Sequence, residues 1–187
     1  MNLPNKLTLF RIILAPVFLI IFMMNKIPGH YAISLGIYAI ACITDFFDGK
    51  IARKYNMISN FGKLADPIAD KMLTTAALLG LMSIGYCNIY TIFVILTREF
   101  TVTGLRLAAA AQGVVIPANI WGKIKTALQM IFTVFVIFIL TMQSFDMLLT
   151  FPLRFFSEIS LGFTALLAVI SGVIYIIDGA RVVDFNK

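Results

Sequence analysis

The stretch from residue 124 to residue 143 reads IKTALQMIFTVFVIFILTMQ and contains a single charged residue, Lys125. A helix needs about 20 mostly apolar residues to cross the roughly 30 Å hydrocarbon core of a bilayer. Other runs of similar length and character bring the number of candidate spans to six: 8–24, 31–50, 65–84, 89–110, 124–143 and 156–177. We therefore predict an all-α integral membrane protein, with about six transmembrane helices bundled into a single domain over 1–187.

The composition of the 187-residue chain supports this prediction. Hydrophobic residues make up 60% of the chain and charged residues 13%, against about 45–50% and about 25% in soluble domains. A small soluble domain cannot hide so much apolar surface, because most of its residues touch water. The composition excludes a soluble enzyme, a disordered segment and a scaffold held by disulfides.

Basic residues are concentrated in one set of predicted loops and ends: Lys6, Lys50, Arg53, Lys54, Lys63, Arg106, Lys123, Lys125, Arg181 and Lys187. The opposite set holds only Lys26 and Arg154. Because cytoplasmic loops carry the excess of Lys and Arg, both termini are predicted to be cytoplasmic. The net charge of +6 then indicates anchoring and anionic ligands or lipid headgroups, not nucleic acid. The residues before and at the start of the first run predict an interfacial N-terminal segment: Asn2, Pro4, Asn5, Thr8 and Arg11.

Four of the nine acidic residues lie close together, at the end of the second run and the start of the third: Asp45, Asp48, Asp66 and Asp70. The first two are three positions apart and the last two are four apart, so each pair shares a helix face. The turn between the runs can bring the two faces together. We call these four aspartates, with the segment 45–70 that carries them, the acidic hairpin.

Four converging carboxylates repel one another unless a cation compensates their charge. Carboxylate oxygens suit hard cations, and room for phosphate oxygens favours Mg²⁺ or Mn²⁺. Four carboxylates can hold two such ions for displacement chemistry. Pro67 is expected in the first turn of the third helix, with the positive end of the helix dipole facing the acidic hairpin. The alternative is that the aspartates form interfacial salt bridges with nearby basic residues: Lys50, Arg53, Lys54, Lys63 and Lys71.

Small residues and an arginine stand between the aspartates of the acidic hairpin. The full pattern is Asp45-x-x-Asp48-Gly49-x-x-Ala52-Arg53, followed by Gly62, Asp66 and Asp70. This pattern resembles the signature of the CDP-alcohol phosphatidyltransferases at all eight of its positions. The family is described as a six-span helical bundle that is usually a homodimer. In architecture the resemblance covers the whole chain, whereas the motif covers 45–70.

The resemblance implies a two-metal site. Asp45, Asp48 and Asp66 would bind the ions, and Asp70 would contact the second ion and act as the general base. Metal ions would neutralise the pyrophosphate and the departing CMP, and a positioned carboxylate would remove the proton of the acceptor hydroxyl. His30 is the only histidine and is expected in an outer loop, so direct displacement without a covalent intermediate is the simpler mechanism.

The resemblance also implies a site for the CDP moiety. Gly49 and Arg53 would contact it, and Ser59 lies where the family tends to contact the nucleotide. Asn5 and Thr8 belong to a second resembling segment and are expected to help hold the nucleotide.

A second polar group lies in the fourth and fifth runs. Arg106, Lys123 and Lys125 are placed near the predicted cytoplasmic side, where they would suit the phosphate of a phosphorylated acceptor. The alternative is that they anchor the chain at the membrane surface. Arg98 and Glu99 lie inside a run, where ionisable residues are functional until shown otherwise. They could also belong to structural ion pairs, but adjacent helix residues do not face each other, so each would need a different partner.

Three segments resemble the family members whose acceptor is sn-glycerol 3-phosphate: Asn2-Leu-Pro-Asn5-x-Leu-Thr8-x-x-Arg11, Thr97-Arg98-Glu99 and Gly122-Lys-x-Lys125-Thr126. This resemblance implies transfer of the phosphatidyl group from CDP-diacylglycerol to that acceptor, with release of CMP, in phospholipid biosynthesis. It also implies a bacterial plasma membrane and a homodimer. The placement of Lys and Arg predicts that the active site faces the cytoplasm. Inositol phosphate, serine or phosphatidylglycerol remain alternative acceptors. A small cation transporter, whose carboxylates bind the transported ion, is the alternative from another class.

Overall fold

The computed structural model describes residues 3–54, 60–114, 116, 119–147 and 150–180. These residues form six α-helices and no strand, which confirms the predicted all-α class. The helices are α1 (Leu3–Met23), α2 (His30–Lys54), α3 (Asn60–Ser83), α4 (Ile89–Ala111), α5 (Ile120–Ser144) and α6 (Leu153–Ala180).

Three of the described helices are long and apolar enough to cross a membrane, over Asn5–Met23, Ile120–Ser144 and Leu153–Gly179. They establish a helical membrane protein. The other helices are 23 to 25 residues long, which matches a span in length. They contain more ionisable residues, among them Asp66 in α3 and Arg98 in α4. Crossing by all six helices and two cytoplasmic termini stay predictions.

The chain divides into two compact units, Met1–Ile84 with Thr133–Leu153 and Gly85–Phe132 with Arg154–Lys187. A single domain over 1–187 stays a prediction. In the first unit, α1 packs against both α2 and α3. The rings of Phe18 and Tyr38 lie 5.6 Å apart at their centroids. Gly80 allows close packing, because a Cβ there would lie 2.9 Å from Cδ1 of Phe22. Small residues let helices approach in this way in membranes.

The buried face of α1 changes from polar to apolar along the helix. Its buried residues recur every three or four positions, the spacing of one helix face: Asn5, Thr8, Arg11, Ala15, Phe18 and Phe22. The expected interfacial segment is therefore part of a helix that is continuous from Leu3. Asn5, Thr8 and Arg11 are buried, and the last two contact residues of α3 and α2.

The expectation that Pro67 lies in the first turn of α3 is wrong. The helix begins at Asn60 and encloses Pro67, where proline removes one backbone hydrogen bond from the helix interior. The apolar run begins only at 65, after the more polar first turns of the helix. The related expectation that the positive end of α3 faces the acidic hairpin loses its basis.

In the second unit, both ends of α4 are closed by local hydrogen bonds. Asn88 caps α4 by accepting the N–H of Tyr90 through its side chain. At the other end, Gly113 has a φ of 75°, and the N–H of Val114 reaches the carbonyl of Ala109. This is the Schellman arrangement, in which glycine adopts the left-handed conformation without strain. Both arrangements satisfy backbone groups that a helix leaves without partners at its ends.

Candidate active site

Helix α1 holds two carboxylates of the acidic hairpin. Thr8 Oγ1 donates a hydrogen bond to Oδ1 of Asp66 at 2.5 Å. The guanidinium of Arg11 forms an ion pair with the carboxylate of Asp45. Arg11 is only 1% exposed, whereas the Asp45 side chain is 44% exposed. A buried cation on α1 therefore orients a carboxylate that remains accessible to solutes.

Sequence reasoning missed the ion pair between Arg11 and Asp45. The signal was present, because Asn5, Thr8 and Arg11 are three polar residues on one face of an otherwise apolar helix. Spacing alone does not say which residues such a face contacts. Thr8 was predicted to help hold the nucleotide, as was Asn5. The observed contact of Thr8 is with Asp66, and both nucleotide roles stay predictions.

The remaining residues of the acidic hairpin are described to different extents. Asp70 is half-buried on α3, and its backbone carbonyl accepts a hydrogen bond from Thr74 Oγ1 at 3.1 Å. Asp48, Gly49 and Arg53 lie on α2, but their side-chain surroundings are outside the described part of the structure. Ser59 lies outside the described residues altogether.

The described donors fit a hard divalent cation in their chemistry. Asp45, Asp66 and Asp70 offer carboxylate oxygens, the ligands that Mg²⁺ and Mn²⁺ prefer. Thr8 contacts Asp66 and Arg11 contacts Asp45, as supporting residues contact the ligands of a metal. No group of three or more Asp, Glu, His or Cys side chains close enough to share an ion occurs among the described side chains, which do not include Asp48.

The second unit contains a cavity of about 480 Å³ between α4, α5 and α6. Three cationic side chains line it, Arg98 and Arg106 from α4 and Lys123 from α5. Its polar lining also includes Asn119, Thr126 and Tyr175, whereas none of its described lining residues is acidic. We call it the basic cavity. Two of the three residues predicted to bind an acceptor phosphate, Arg106 and Lys123, line it.

Arg98 occupies a slot formed by two glycines. Its Nε donates a hydrogen bond to Ser171 Oγ at 3.0 Å. A Cβ on Gly122 would lie 2.7 Å from Nη2 of Arg98, and one on Gly172 would lie 3.2 Å from its Cγ. Larger residues at either position would displace the arginine. The glycines therefore fix where this guanidinium meets the basic cavity.

Lys125, the third residue predicted to bind the acceptor, has a different environment. It is 0% exposed, and its Nζ lies 2.6 Å from Oε1 of Glu99. It is not among the residues that line the basic cavity. Glu99 and Arg98 therefore have different partners, as helix geometry predicts. The ion pair favours a structural role for Lys125, and its role towards the acceptor stays a prediction.

Comparison with known proteins identifies the family. The family model described as CDP-alcohol phosphatidyltransferase matches residues 1–170. The chain belongs to this family. Phosphatidyltransferases of the CDP-alcohol type generally depend on a divalent metal ion, and membership identifies the chain as an enzyme of this class. It also decides against the cation transporter.

Curated relatives carry more specific names. A Bacillus subtilis protein named CDP-diacylglycerol–glycerol-3-phosphate 3-phosphatidyltransferase is 45% identical over 70% of this chain and 73% of its own length. A Mycobacterium tuberculosis protein named probable phosphatidylglycerophosphate synthase is 40% identical over 96% of this chain and 82% of its own. A Rickettsia bellii protein with the same name as the Bacillus one is 40% identical over 93% of both chains. This phosphatidyltransferase is thus similar to bacterial proteins named for glycerol 3-phosphate as acceptor or for phosphatidylglycerophosphate as product.

Proposed function

We propose that this phosphatidyltransferase transfers the phosphatidyl group of CDP-diacylglycerol to sn-glycerol 3-phosphate, giving phosphatidylglycerophosphate and CMP. One observation supports a phosphorylated acceptor above all: the described lining of the basic cavity has three cations and no carboxylate. Arginine forks match phosphate oxygens bidentately. The names of the relatives favour glycerol 3-phosphate over inositol phosphate, which has the same charged group.

The acidic hairpin would act on CDP-diacylglycerol. Asp45, Asp48, Asp66 and Asp70 would hold two Mg²⁺ or Mn²⁺ ions, which neutralise the pyrophosphate and the departing CMP. Arg11 supports this arrangement by orienting the Asp45 carboxylate. The CDP moiety would be bound by the remaining residues assigned to it: Gly49, Arg53, Ser59, Asn5 and Thr8.

Asp70 would serve as the general base. Its carboxylate takes the proton of the acceptor hydroxyl as that oxygen attacks the phosphorus of the phosphatidyl group. A new phosphorus–oxygen bond forms, and the bond between this phosphorus and the CMP oxygen breaks. The electron pair leaves with CMP, so no covalent enzyme intermediate is needed. A positioned base contributes typically about 10²–10⁴-fold to such a step.

The basic cavity would bind the phosphate of the acceptor. Arg106 and Lys123 supply two of the charges, and Arg98, held in its glycine slot, supplies a third. Serine has no phosphate dianion to match this charge. The cavity therefore favours glycerol phosphate or inositol phosphate over serine as acceptor.

The apolar helices indicate an integral membrane protein, and the relatives that the chain resembles are bacterial. We further propose that it lies in a bacterial plasma membrane, with its active site and both termini on the cytoplasmic side, and that it forms a homodimer. The excess of Lys and Arg in one set of loops supports this orientation.

The test is CMP release by the purified chain in detergent with CDP-diacylglycerol and Mg²⁺. Glycerol 3-phosphate, inositol phosphate, serine, phosphatidylglycerol and unphosphorylated glycerol are compared as acceptors. We expect release with glycerol 3-phosphate and its loss on chelation of the metal. Release with inositol phosphate alone would overturn the acceptor, and absence of CMP with every acceptor, in a folded preparation, would overturn the reaction.

A further inference from the structure

Tyr175 connects three helices around the basic cavity. It lies on α6 and is only 3% exposed. Its hydroxyl oxygen accepts a hydrogen bond from Nη2 of Arg106 at 2.6 Å and another from the backbone N–H of Asn119 at 2.8 Å. Arg106 belongs to α4, and Asn119 immediately precedes α5. The Tyr175 hydroxyl thus contacts both an arginine of the cavity and the residue at the start of α5.

The Tyr175 ring also lies near two cations. The guanidinium carbons of Arg106 and Arg98 are 5.2 Å and 5.9 Å from the ring centroid, within the range of cation–π attraction. Two neighbouring guanidinium groups repel each other. A carboxylate between them would relieve the repulsion, but it would also cancel part of the positive charge of the cavity. The tyrosine stabilises both cations while remaining neutral. The charge of the cavity is therefore available to an anionic ligand.

Asn119 carries this constraint into α5. Its side-chain Oδ1 accepts the N–H of Trp121 at 3.1 Å, and its carbonyl accepts the N–H of Lys123 at 3.2 Å. These are the bonds of a helix N-cap. Because Tyr175 holds the backbone of the cap residue, it fixes the start of the helix that carries Lys123. The positions of Arg106 and Lys123 therefore depend on one hydroxyl group.

We propose that Tyr175 is a positioning residue that preorganises Arg106 and the start of α5 to bind the phosphate of the acceptor. The proposal deepens the proposed function and rests on it for the identity of the ligand. Preorganised groups lose less freedom on binding, so their affinity for the ligand is higher. Removing the hydroxyl of Tyr175 should weaken the binding of phosphate and leave the KM for CDP-diacylglycerol unaffected.

The test compares Tyr175→Phe with Tyr90→Phe, the same change at an exposed ring on α4. We expect Tyr175→Phe to raise the KM for glycerol 3-phosphate about tenfold, with kcat and the KM for CDP-diacylglycerol within about twofold of wild type. Tyr90→Phe should change none of these constants. Equal increases in both KM values, or an unchanged acceptor KM in a folded Tyr175→Phe protein, would overturn the positioning role.

A second measurement separates this proposal from the proposed function. Inorganic phosphate should raise the melting temperature of the wild-type protein in detergent, and Tyr175→Phe should reduce that shift, whether or not glycerol 3-phosphate is a substrate. If CMP release fails but this difference is seen, the proposed function is wrong and the positioning role stands. If phosphate shifts wild type and Tyr175→Phe equally, or shifts neither, the positioning role is wrong.

Discussion

The acidic hairpin and the basic cavity hold their charges by different means. In the acidic hairpin, a buried cation, Arg11, is paired with the carboxylate of Asp45. In the basic cavity, neutral groups hold the cations, with Ser171 contacting Arg98 and Tyr175 contacting Arg106. A site for hard cations tolerates a supporting arginine on one carboxylate. A site for a phosphate loses its attraction if carboxylates neutralise it, and the buried Glu99 of α4 is paired with Lys125 instead.

The two sites also differ in how their residues are distributed along the chain. The four aspartates lie in the single segment 45–70, at spacings set by helix geometry. The basic cavity draws on residues from Arg98 to Tyr175. A local pattern can be recognised from the sequence, whereas a cavity built from three helices depends on tertiary packing. The following predictions test whether the two sites have the separate roles proposed for them.

The largest effect is expected in the acidic hairpin. Asp70→Asn should lower turnover about 10²–10⁴-fold, because the amide cannot accept the proton of the acceptor. Binding of CDP-diacylglycerol should largely survive. Turnover is measured as CMP release, and lipid binding as the concentration dependence of the rise in melting temperature. Asp146→Asn, the same change outside the acidic hairpin, is the control. Near-normal turnover in Asp70→Asn would show that another group is the base.

The next largest effect concerns the buried ion pair of α4 and α5. Lys125→Met leaves Glu99 buried without its cation, which should lower the free energy of unfolding by about 3–5 kcal/mol. The double variant Glu99→Leu with Lys125→Met should recover most of that loss, because neither charge remains. Thermal unfolding in detergent measures the stability of both variants. If Lys125→Met is as stable as wild type and only its acceptor KM rises, Lys125 binds the acceptor and the structural role is wrong.

A smaller effect is expected from removing one charge of the basic cavity. Arg106→Gln should raise the KM for glycerol 3-phosphate roughly ten- to a hundredfold, since hydrogen bonds to charged groups contribute about 1.5–3 kcal/mol. The KM for CDP-diacylglycerol should stay unchanged. Arg154→Gln removes a charge from an exposed i,i+4 pair with Glu158 and serves as the control. Equal changes in the two KM values of Arg106→Gln would indicate that the arginine anchors the chain.

The smallest effect tests the glycine slot of Arg98. Gly122→Ala places a methyl group where the guanidinium lies, and because that end of the side chain is flexible, it should move at little cost in stability. We expect the acceptor KM to rise by less than about tenfold. Gly162→Ala on α6, where a Cβ would meet nothing within 4 Å, should leave the acceptor KM unchanged. A Gly122→Ala protein with wild-type kinetics would exclude Arg98 from acceptor binding.

The sequence predicted the six helices and missed some of their ends. The apolar run 65–84 marks α3, but the helix begins at Asn60. Likewise 156–177 marks α6, which spans Leu153–Ala180. Apolar residues mark only the part of a helix suited to lipid, whereas backbone hydrogen bonds extend the helix through polar turns as well. Orientation in the membrane depends on the lipid surroundings as well as on the chain, and a dimer depends on a second copy, so both remain predictions.

The candidate sites could be predicted to different degrees for a related reason. Helix spacing is enough to predict that Asp45 shares a helix face with Asp48, and Asp66 with Asp70. Nothing in local spacing pairs Lys125 with Glu99 or Arg106 with Tyr175, which are separated by 26 and 69 positions. Those contacts depend on how the helices pack. The acceptor role predicted for Lys125 rests on its place near a helix end, and its ion pair with Glu99 could not be foreseen from that place.

The most direct test of separate roles for the two sites is inhibition of CMP release by inorganic phosphate. If the basic cavity binds the phosphate of the acceptor, inorganic phosphate will raise the apparent KM for glycerol 3-phosphate and leave the apparent KM for CDP-diacylglycerol unchanged. Arg106→Gln will weaken that inhibition, and Arg154→Gln will not. Competition with CDP-diacylglycerol alone, or inhibition that Arg106→Gln leaves intact, would contradict the account.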